Sequence, residues 1–389
     1  MRWVVVAVLF LMSLLTIIDR VCVSAAKGGM ARELGITDMA FGAVFSAFAL
    51  GYALFQIPAG YYVDRRGTRT FLTVMVAAWS VCTALTGMVT ALAPLLALRF
   101  VFGAFEAGAY PAAARANYTW LPVKERGMAQ GILFSGSRLG AAVGLSGVAW
   151  VINLAGWRQT FLLLGAVGLV WALGWWMWFR EGPLGARPPE KLDWSVLRSP
   201  AVPGLLAQYW ASNFTIFLCF TWLLPYLRDR FGLSNMEAGF YASLPLYAAA
   251  GANWVAGFCI DALFARGYAV GSRKAPAIAG FLVSAAALVM TAHAPTLAWA
   301  VTWLAIATFG ADLTLSPSWA AAIDIGGPRT GLLSGVMNMC GNLGSFASSL
   351  IFPLLLTLPG GARSYFYTAA VLNAFASYCW WRMNWRRTA

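Results

Sequence analysis

Residues 60–69 read Gly60-Tyr61-Tyr62-Val63-Asp64-Arg65-Arg66-Gly67-Thr68-Arg69. Its charged part, 64–69, separates two apolar runs, 39-63 and 70-91. Each run is long enough to cross a bilayer, which takes about 20 mainly apolar residues. The stretch is therefore predicted to be a loop at a membrane face. Its pattern returns once, as Gly257-x-x-x-Asp261 followed by Arg266-Gly267, again after the second helix of its half. The echo implies a six-plus-six repeat.

Outward from the loop, apolar stretches bounded by charges or by Gly and Pro give spans 3-26, 39-63, 70-91, 93-115, 127-153 and 157-179, then 203-227, 236-260, 274-292, 296-322, 329-357 and 363-383. Twelve spans of about 20 residues use roughly 240, which leaves short loops and no room for a soluble domain in 389 residues. The expected fold is an all-α membrane protein with twelve transmembrane helices in two six-helix bundles, 1-180 and 201-389. Between them lies the longest polar stretch, 181-200, read as a cytoplasmic linker. Parallel repeats of this kind place a substrate near the midplane between the halves, and rocking exposes it alternately to each side.

Composition supports this reading. Hydrophobic residues make up 60% of the chain and charged ones 11%, against about 25% charged in an average soluble domain. A formal charge of +13 is compatible with a nucleic-acid partner. However, the basic residues lie between apolar segments, where membrane orientation explains them, so no nucleic acid is expected. Of the 27 Lys and Arg, 17 fall at the N-terminal side and in alternate loops; six fall in the opposite loops (Lys27, Arg32, Arg158, Arg228, Arg230, Arg363) and four within spans. By the positive-inside rule both termini are cytoplasmic, in what is expected to be a bacterial inner membrane. The first 26 residues resemble a signal peptide, but Asp19-Arg20 interrupts the apolar run, so a retained first helix is expected. Cys22, Cys82, Cys219, Cys259, Cys340 and Cys379 all lie in apolar stretches without ligand-like spacing and read as packing residues. His293 has no second histidine to build a metal site with. No metal and no cofactor are expected, and no nucleophile-base set points to an enzyme.

Residues 60–69 match the G-x-x-x-D-R-x-G-x-R loop signature of the major facilitator superfamily, and the chain resembles that family from about residue 5 to 380. Within it, the sequence is similar to the anion:cation symporter branch, which includes bacterial galactonate, glucarate and hexuronate carriers and the vesicular glutamate and sialic acid transporters. The branch resemblance rests on Asp19-Arg20, on Arg99, Glu106, Tyr110 and Pro111, and on Ser135-Gly136-Ser137-Arg138-Leu139-Gly140. Further along it rests on Ser318-Trp319 with Asp324, and on Met337-Asn338-Met339-Cys340-Gly341-Asn342. Two departures stand out. Thr16 and Ile17 replace an Asn-Tyr pair, which removes a hydroxyl contact to a sugar, and Asn213 stands where vesicular glutamate carriers have an arginine.

Ionisable groups within a membrane cost about 2.5–3.5 kcal/mol even on lenient scales, so they are functional by default. Here they gather in the first half: Arg20, Arg99 and Arg138 with Asp19 and Glu106. In the second half only Asp312 lies well inside a span, with no buried Lys or Arg expected there. Arg99, Gly103, Glu106 and Tyr110 recur at i, i+4, i+7 and i+11, one polar stripe on a helix. The guanidinium groups suit a carboxylate substrate because they grip it bidentately and stay charged. Asp19 and Glu106 are the proton-coupling candidates, since a carboxyl group shut off from water holds a proton more readily; the resemblance implies the same roles. The competing reading is a structural ion network of Asp19, Arg20 and Arg99.

Arg138 sits in Gly136-x-x-x-Gly140-x-x-x-Gly144 and reads either as a substrate contact or as the partner of Glu106 or another internal carboxylate. Tyr52 and Gln56 on the second helix, with Asn213, Ser318, Asn338 and Asn342 in the second half, are candidates for substrate hydrogen bonds, with packing or interhelical bonding as the other role. Gly60, Asp64, Arg65, Gly67 and Arg69 read as a conformational latch in which Asp64 caps or bridges helix ends.

The expected function is import of a small organic anion by proton symport with alternating access, powered by the proton gradient in a monomer within the lipid bilayer. A sugar acid such as a hexuronate, aldonate or aldarate leads; an aromatic acid such as a phthalate stays open. The rivals are an exporter or drug:proton antiporter, whose helix 5 often carries a Gly-Pro motif that Gly140-Ala141-Ala142-Val143-Gly144 lacks, and a transporter-like sensor.

Overall fold

The computed structural model describes residues 1–36, 38–183, 194–356 and 359–385. Fourteen α-helices appear among them. In the first part of the chain these are α1 (Arg2–Leu34), α2 (Asp38–Arg66), α3 (Thr68–Thr86), α4 (Leu92–Glu106), α5 (Ala109–Trp120) and α6 (Arg126–Trp178). There follow α7 (Val202–Thr221), α8 (Leu223–Phe231), α9 (Asn235–Ala265), α10 (Gly271–Ala292), α11 (Leu297–Leu313), α12 (Leu315–Gly326), α13 (Thr330–Leu356) and α14 (Ala362–Arg382). Part of the stretch read as a linker, 184–193, lies outside the described residues.

Fourteen helices make twelve crossings for reasons written in the sequence. The pairs α4/α5, α7/α8 and α11/α12 are each parted by only one or two residues. In every case the third residue of the second helix is proline: Pro111, Pro225 and Pro317. Proline has no N–H to give the carbonyl four residues back, so the hydrogen-bond ladder fails just before it and one crossing becomes two helices. Conversely, α6 runs 53 residues, about 80 Å at 1.5 Å per residue, far more than a hydrocarbon core of about 30 Å. It is broken at Gly156, whose φ of 80° and ψ of 162° only glycine adopts readily. Joining the pairs and dividing α6 gives twelve segments among the described residues.

Nine are long and apolar enough to qualify as spans on those grounds alone, counting the bent α7/α8 pair as one. The others are α6 ahead of Gly156, which carries Arg138, one of two crossings inside Leu297–Ser348, and α14, with its Tyr, Ser and Asn residues. The first helix passes Asp19-Arg20 without interruption and runs on to Leu34, beyond the expected end at 26, where Gly35 (φ 65°) caps it.

Polarity is inverted relative to a soluble protein. Large apolar side chains such as Leu154, Val170 and Val371 are exposed, whereas Asp19, Arg99, Glu106, Arg273, Asp312 and Asp324 are buried. Such an apolar exterior suits lipid, and buried charge marks function or pairing.

By contact density the chain forms two compact units. The first comprises Met1–Leu121, Leu139–Asp193 and Gly326–Val336; the second comprises Pro122–Arg138, Trp194–Ile325 and Met337–Ala389. In the first, α2 and α4 touch backbone to backbone: a Cβ on Gly51 would stand 2.1 Å from the Phe100 carbonyl oxygen, and one on Gly103 2.3 Å from that of Phe48. Gly103, the small member of the stripe, thus admits a neighbouring helix. Gly140 and Gly144 receive α1 side by side, against Leu14, Ile17 and Ile18.

Candidate functional site

In the first unit, adjacency on α1 sends Asp19 and Arg20 about 100° apart, so the two charges serve different partners. Arg20 Nε donates to Glu106 Oε1 at 2.6 Å. Its guanidinium lies 4.5 Å from the Tyr52 ring centroid and 5.2 Å from that of Phe48. Arg99 stands 4.5 Å from the Phe102 ring and 5.0 Å from Phe48, within Coulombic range of both Asp19 and Glu106. Phe48 is thus shared by two cations. Each such contact is worth about 0.5–2 kcal/mol, the upper value when desolvated, which lowers the cost of holding guanidinium groups here. The stripe Arg99, Gly103, Glu106, Tyr110 is buried throughout, although the proline break falls between its third and fourth members. Tyr110 shares a 3.3 Å hydrogen bond with Ser13 on α1, and Thr16 turns its hydroxyl to its own helix at the Met12 carbonyl.

Four polar atoms of this cluster remain buried without a protein partner among the described residues: Asp19 Oδ1, Arg20 Nη2, Arg99 Nε and Glu106 Oε2. Unmatched donors and acceptors on both sides of an ion pair are costly to leave idle. They are the capacity a carboxylate or a proton would use.

The three-to-two balance of arginine over acid expected from the sequence is corrected by the structure. Arg138 belongs to the second unit, where its Nε and Nη2 both reach Asp312 Oδ1 at 2.8 Å. The first unit's cluster is left with two cations, Arg20 and Arg99, and two acids, Asp19 and Glu106. Asn253, which the sequence reading passed over, donates to the same Asp312 oxygen at 3.1 Å. The expectation that the second half buries no Lys or Arg is also overturned: Arg273 is fully buried, bound to Asp324 at 3.1 Å. Its place beside Lys274 at the start of a span made it look like a loop residue.

Three polar candidates of the second unit, Asn213, Asn342 and Ser318, make local bonds, and Asn338 is buried beside them. Asn213 gives its amide to the Tyr209 carbonyl at 2.8 Å, Asn342 to that of Asn338 at 2.8 Å, and Ser318 binds Gln208 Oε1 and the Thr314 carbonyl. In the first unit Gln56 is buried with neither amide atom matched among the described residues, and Tyr52 is buried beneath Arg20.

Around residues 60–69, Asp64 receives the N–H of Gly331 at Oδ1 and of Leu332 at Oδ2, both at 2.8 Å. Those are free N–H groups of the first turn of α13, and a carboxylate there also meets the positive end of the helix dipole. Gly60 permits the approach: its Cβ would fall 2.2 Å from the Gly331 carbonyl oxygen. Arg115 approaches Asp64 at 3.8 Å and binds the Pro328 carbonyl. Gly67 turns the chain at φ 81°, Arg65 donates to the Tyr61 hydroxyl, and Arg69 clasps the Trp176 carbonyl while its N–H is held by Glu181.

The second unit repeats this construction. Asp261 accepts from the N–H groups of Gly127 and Met128 at 3.1 Å, and Gly257 sits against Gly127 and Met128. The readable signal was Gly127-x-x-x-Gly131 and Gly331-x-x-x-Gly335, which meet Asn253-x-x-x-Gly257 and Gln56-x-x-x-Gly60. Asp64→Asn keeps one acceptor and turns an amide donor toward a second N–H. It is expected to cost about 1.5–3 kcal/mol, the worth of one bond to a charged group, read as a lower melting temperature of the purified protein.

Among the described residues, apolar helices enclose buried and incompletely matched charges, the build of a membrane carrier. The chain belongs to the Major Facilitator Superfamily, whose family model matches residues 9–349; it is a transporter, not an enzyme. It is 33% identical over 382 residues to the probable sulfoacetate transporter SauU of Cupriavidus necator, covering 92% of this chain and 88% of that one. It is 29% identical over 400 residues to a D-galactonate transporter of Escherichia coli, covering 95% and 93%. Its backbone matches that of FucP, a Major Facilitator Superfamily transporter in the outward conformation, with a TM-score of 0.79, at 12% identity, over 98% of this chain and 99% of that one. That last likeness speaks for the twelve-helix fold alone.

Proposed function

We propose that this protein imports a small organic acid anion together with protons, by alternating access, across a bacterial inner membrane. The observation that carries the reading is the first unit's cluster, two guanidinium groups held beside two carboxyl groups, each member with an unmatched polar atom. With both acids ionised the four charges cancel. Each proton taken up by Asp19 or Glu106 leaves one positive charge free, so anion and proton favour each other's binding. Arg20 and Arg99 grip the acid group, as guanidinium forks suit carboxylates. Tyr52 and Gln56 supply hydrogen bonds to the rest of the molecule, and Arg138, Asn213, Ser318, Asn338 and Asn342 are the second unit's candidates. The proton gradient is the energy source, with no cofactor, and the working unit is a monomer of two six-helix halves, 1-180 and 201-389.

Sugar acids such as aldonates, aldarates and hexuronates are the leading substrate class, in line with the galactonate carrier among the relatives. The sulfoacetate carrier at higher identity favours a second reading, a smaller acid lacking sugar hydroxyls. Thr16, with its hydroxyl spent on Met12, fits that second reading. The positive-inside bias supports cytoplasmic termini. Asp64, with Gly60, Arg65, Gly67 and Arg69, acts as a latch that holds the start of α13 and releases it during the cycle.

The test is a thermal-shift panel of carboxylic and sulfonic acids on the purified protein, followed by uptake of the stabilising acid into proteoliposomes. A ligand that binds only the folded state adds about 2.7 kcal/mol at a hundred times its Kd. Sugar acids or sulfoacetate should raise the melting temperature, and an inward proton gradient should drive accumulation. Stabilisation by lipophilic cations instead, with transport only outward, would replace this reading by the antiporter.

A further inference from the structure

Asp312 is the penultimate residue of α11, buried to 2% exposure. Its two carboxylate oxygens are treated very differently. Oδ1 accepts from Arg138 Nε and Nη2 and from Asn253 Nδ2, whereas Oδ2 is buried with no protein partner among the described residues. A proton added at Oδ2 would disturb none of the three existing bonds, because Oδ1 remains an acceptor as a carbonyl oxygen. The geometry therefore accommodates both charge states of this side chain.

Glu106 in the first unit is built the same way. Oε1 accepts from Arg20, while Oε2 is buried and unmatched. The local sequences run parallel: Phe102-Gly103-Ala104-Phe105-Glu106 and Phe309-Gly310-Ala311-Asp312. Each acid stands five residues before a proline, Pro111 or Pro317, that ends its helix within one residue of the acid. Each unit thus holds one buried acid at a helix break, gripped through one oxygen by one arginine.

Three elements bring a group to Asp312 among the described residues. The groups are Arg138 from α6, the neutral Asn253 from α9 and the Cys219 thiol from α7, while Gly280 and Ser284 of α10 pack against Gly310, two residues back. Arg138 is the charged group that meets it, with a side chain 13% exposed.

We propose that Asp312 is a further proton-carrying acid of the transport cycle, beside Asp19 and Glu106, which neutralises Arg138 until it is protonated and then yields that guanidinium to an acid group of the substrate. The proposal rests on the anion-carrier reading above and adds a proton to its count. While Asp312 is ionised the pair is neutral and offers an anion nothing. Once it is protonated, a full positive charge remains. Proton and anion binding at this pair then reinforce each other by the same factor in both directions.

The test compares wild type, Asp312→Asn and Asp312→Glu in proteoliposomes, with sulfoacetate and D-galactonate as probes. Asparagine fixes the neutral state while keeping an acceptor for Arg138 and Asn253; glutamate keeps a titratable acid. In Asp312→Asn the pH dependence of probe affinity should flatten by up to about tenfold per pH unit, and the protons moved per probe, read from the reversal potential, should fall by one. Asp312→Glu should keep the wild-type proton count. Wild-type slope and count in Asp312→Asn, or the same loss in both variants, would overturn the proposal and leave Asp312 a packing element. A wild type that takes up neither probe with protons would instead bring down the carrier reading itself, which separates the two failures.

Discussion

Glu106→Gln is expected to abolish net uptake driven by a proton gradient while substrate counterflow persists. Glutamine keeps an acceptor where Oε1 meets Arg20 at 2.6 Å, so the packing of α4 against α1 survives. Truncation to alanine would differ, because removing one partner of a buried pair costs about 3–5 kcal/mol. Loss of the carboxylate changes the charge of the first unit's cluster from zero to plus one with Asp19 ionised. An anion then binds without needing the proton. Coupling energies between sites are commonly about 1–3 kcal/mol, or 5–150-fold, so affinity at high pH should rise by an amount in that range. Exchange of labelled for unlabelled substrate requires only binding and reorientation of the loaded carrier, so it continues. Net accumulation needs the proton to be released and the empty carrier to return, and a glutamine cannot take part in either step. Proteoliposome uptake with and without an imposed pH gradient, beside counterflow, measures both. Wild-type gradient-driven uptake in this variant would remove Glu106 from the coupling mechanism and leave the ion pair structural.

The legible parts of the fold were those fixed by local chemistry. The charged break between the second and third helices, its echo and the apolar runs follow from charge and hydropathy, but the loop expected at 60–69 shrinks to Gly67, because α2 runs on to Arg66 and α3 starts at Thr68; the gap expected between 153 and 157 contains the break at Gly156. The extra breaks within α4/α5, α7/α8 and α11/α12 were written in Pro111, Pro225 and Pro317, but an apolar run conceals them because hydropathy does not register a missing N–H. The charged cluster on α1 and α4 was readable because a stripe on one helix is periodic. Pairing between distant helices has no period. Arg138 and Asp312 lie 174 positions apart, and nothing local distinguishes an arginine that awaits a substrate from one already bound to an aspartate. Asp64 was legible as a helix cap, since an acid eight residues after Gln56 and four after Gly60 stands on their helix face. Which helix it caps depended on Gly331, whose lack of a side chain is the sole local trace of the contact.

The largest loss of stability is expected from Asp324→Ala. Asp324 Oδ1 binds Arg126 at 3.2 Å and Oδ2 binds Arg273 at 3.1 Å, with all three side chains nearly or wholly buried. Arg273 further donates to Ser272 and to the Val123 carbonyl, and its guanidinium lies 5.2 Å from the Phe264 ring. These bonds help tie the short piece Pro122–Arg138 into the second unit. Alanine would take the shared carboxylate away from two guanidinium groups in a low-dielectric interior, a loss of about 3–5 kcal/mol. Asparagine, which retains a neutral acceptor, should fall between alanine and wild type. The sign of the effect also separates a balanced charge network from a net stabilising one. Replacing all three residues by apolar ones of similar volume, as in R126M/D324L/R273M, should recover most of the melting temperature lost by D324A, because the desolvation of the charges disappears along with their attraction. Melting curves and monodispersity of the three variants in detergent provide the comparison. An alanine variant as stable as wild type would show that water reaches this site and that the buried arginines are hydrated; a triple variant no better than alanine would mean that the ions themselves, and not merely their balance, hold the second unit together.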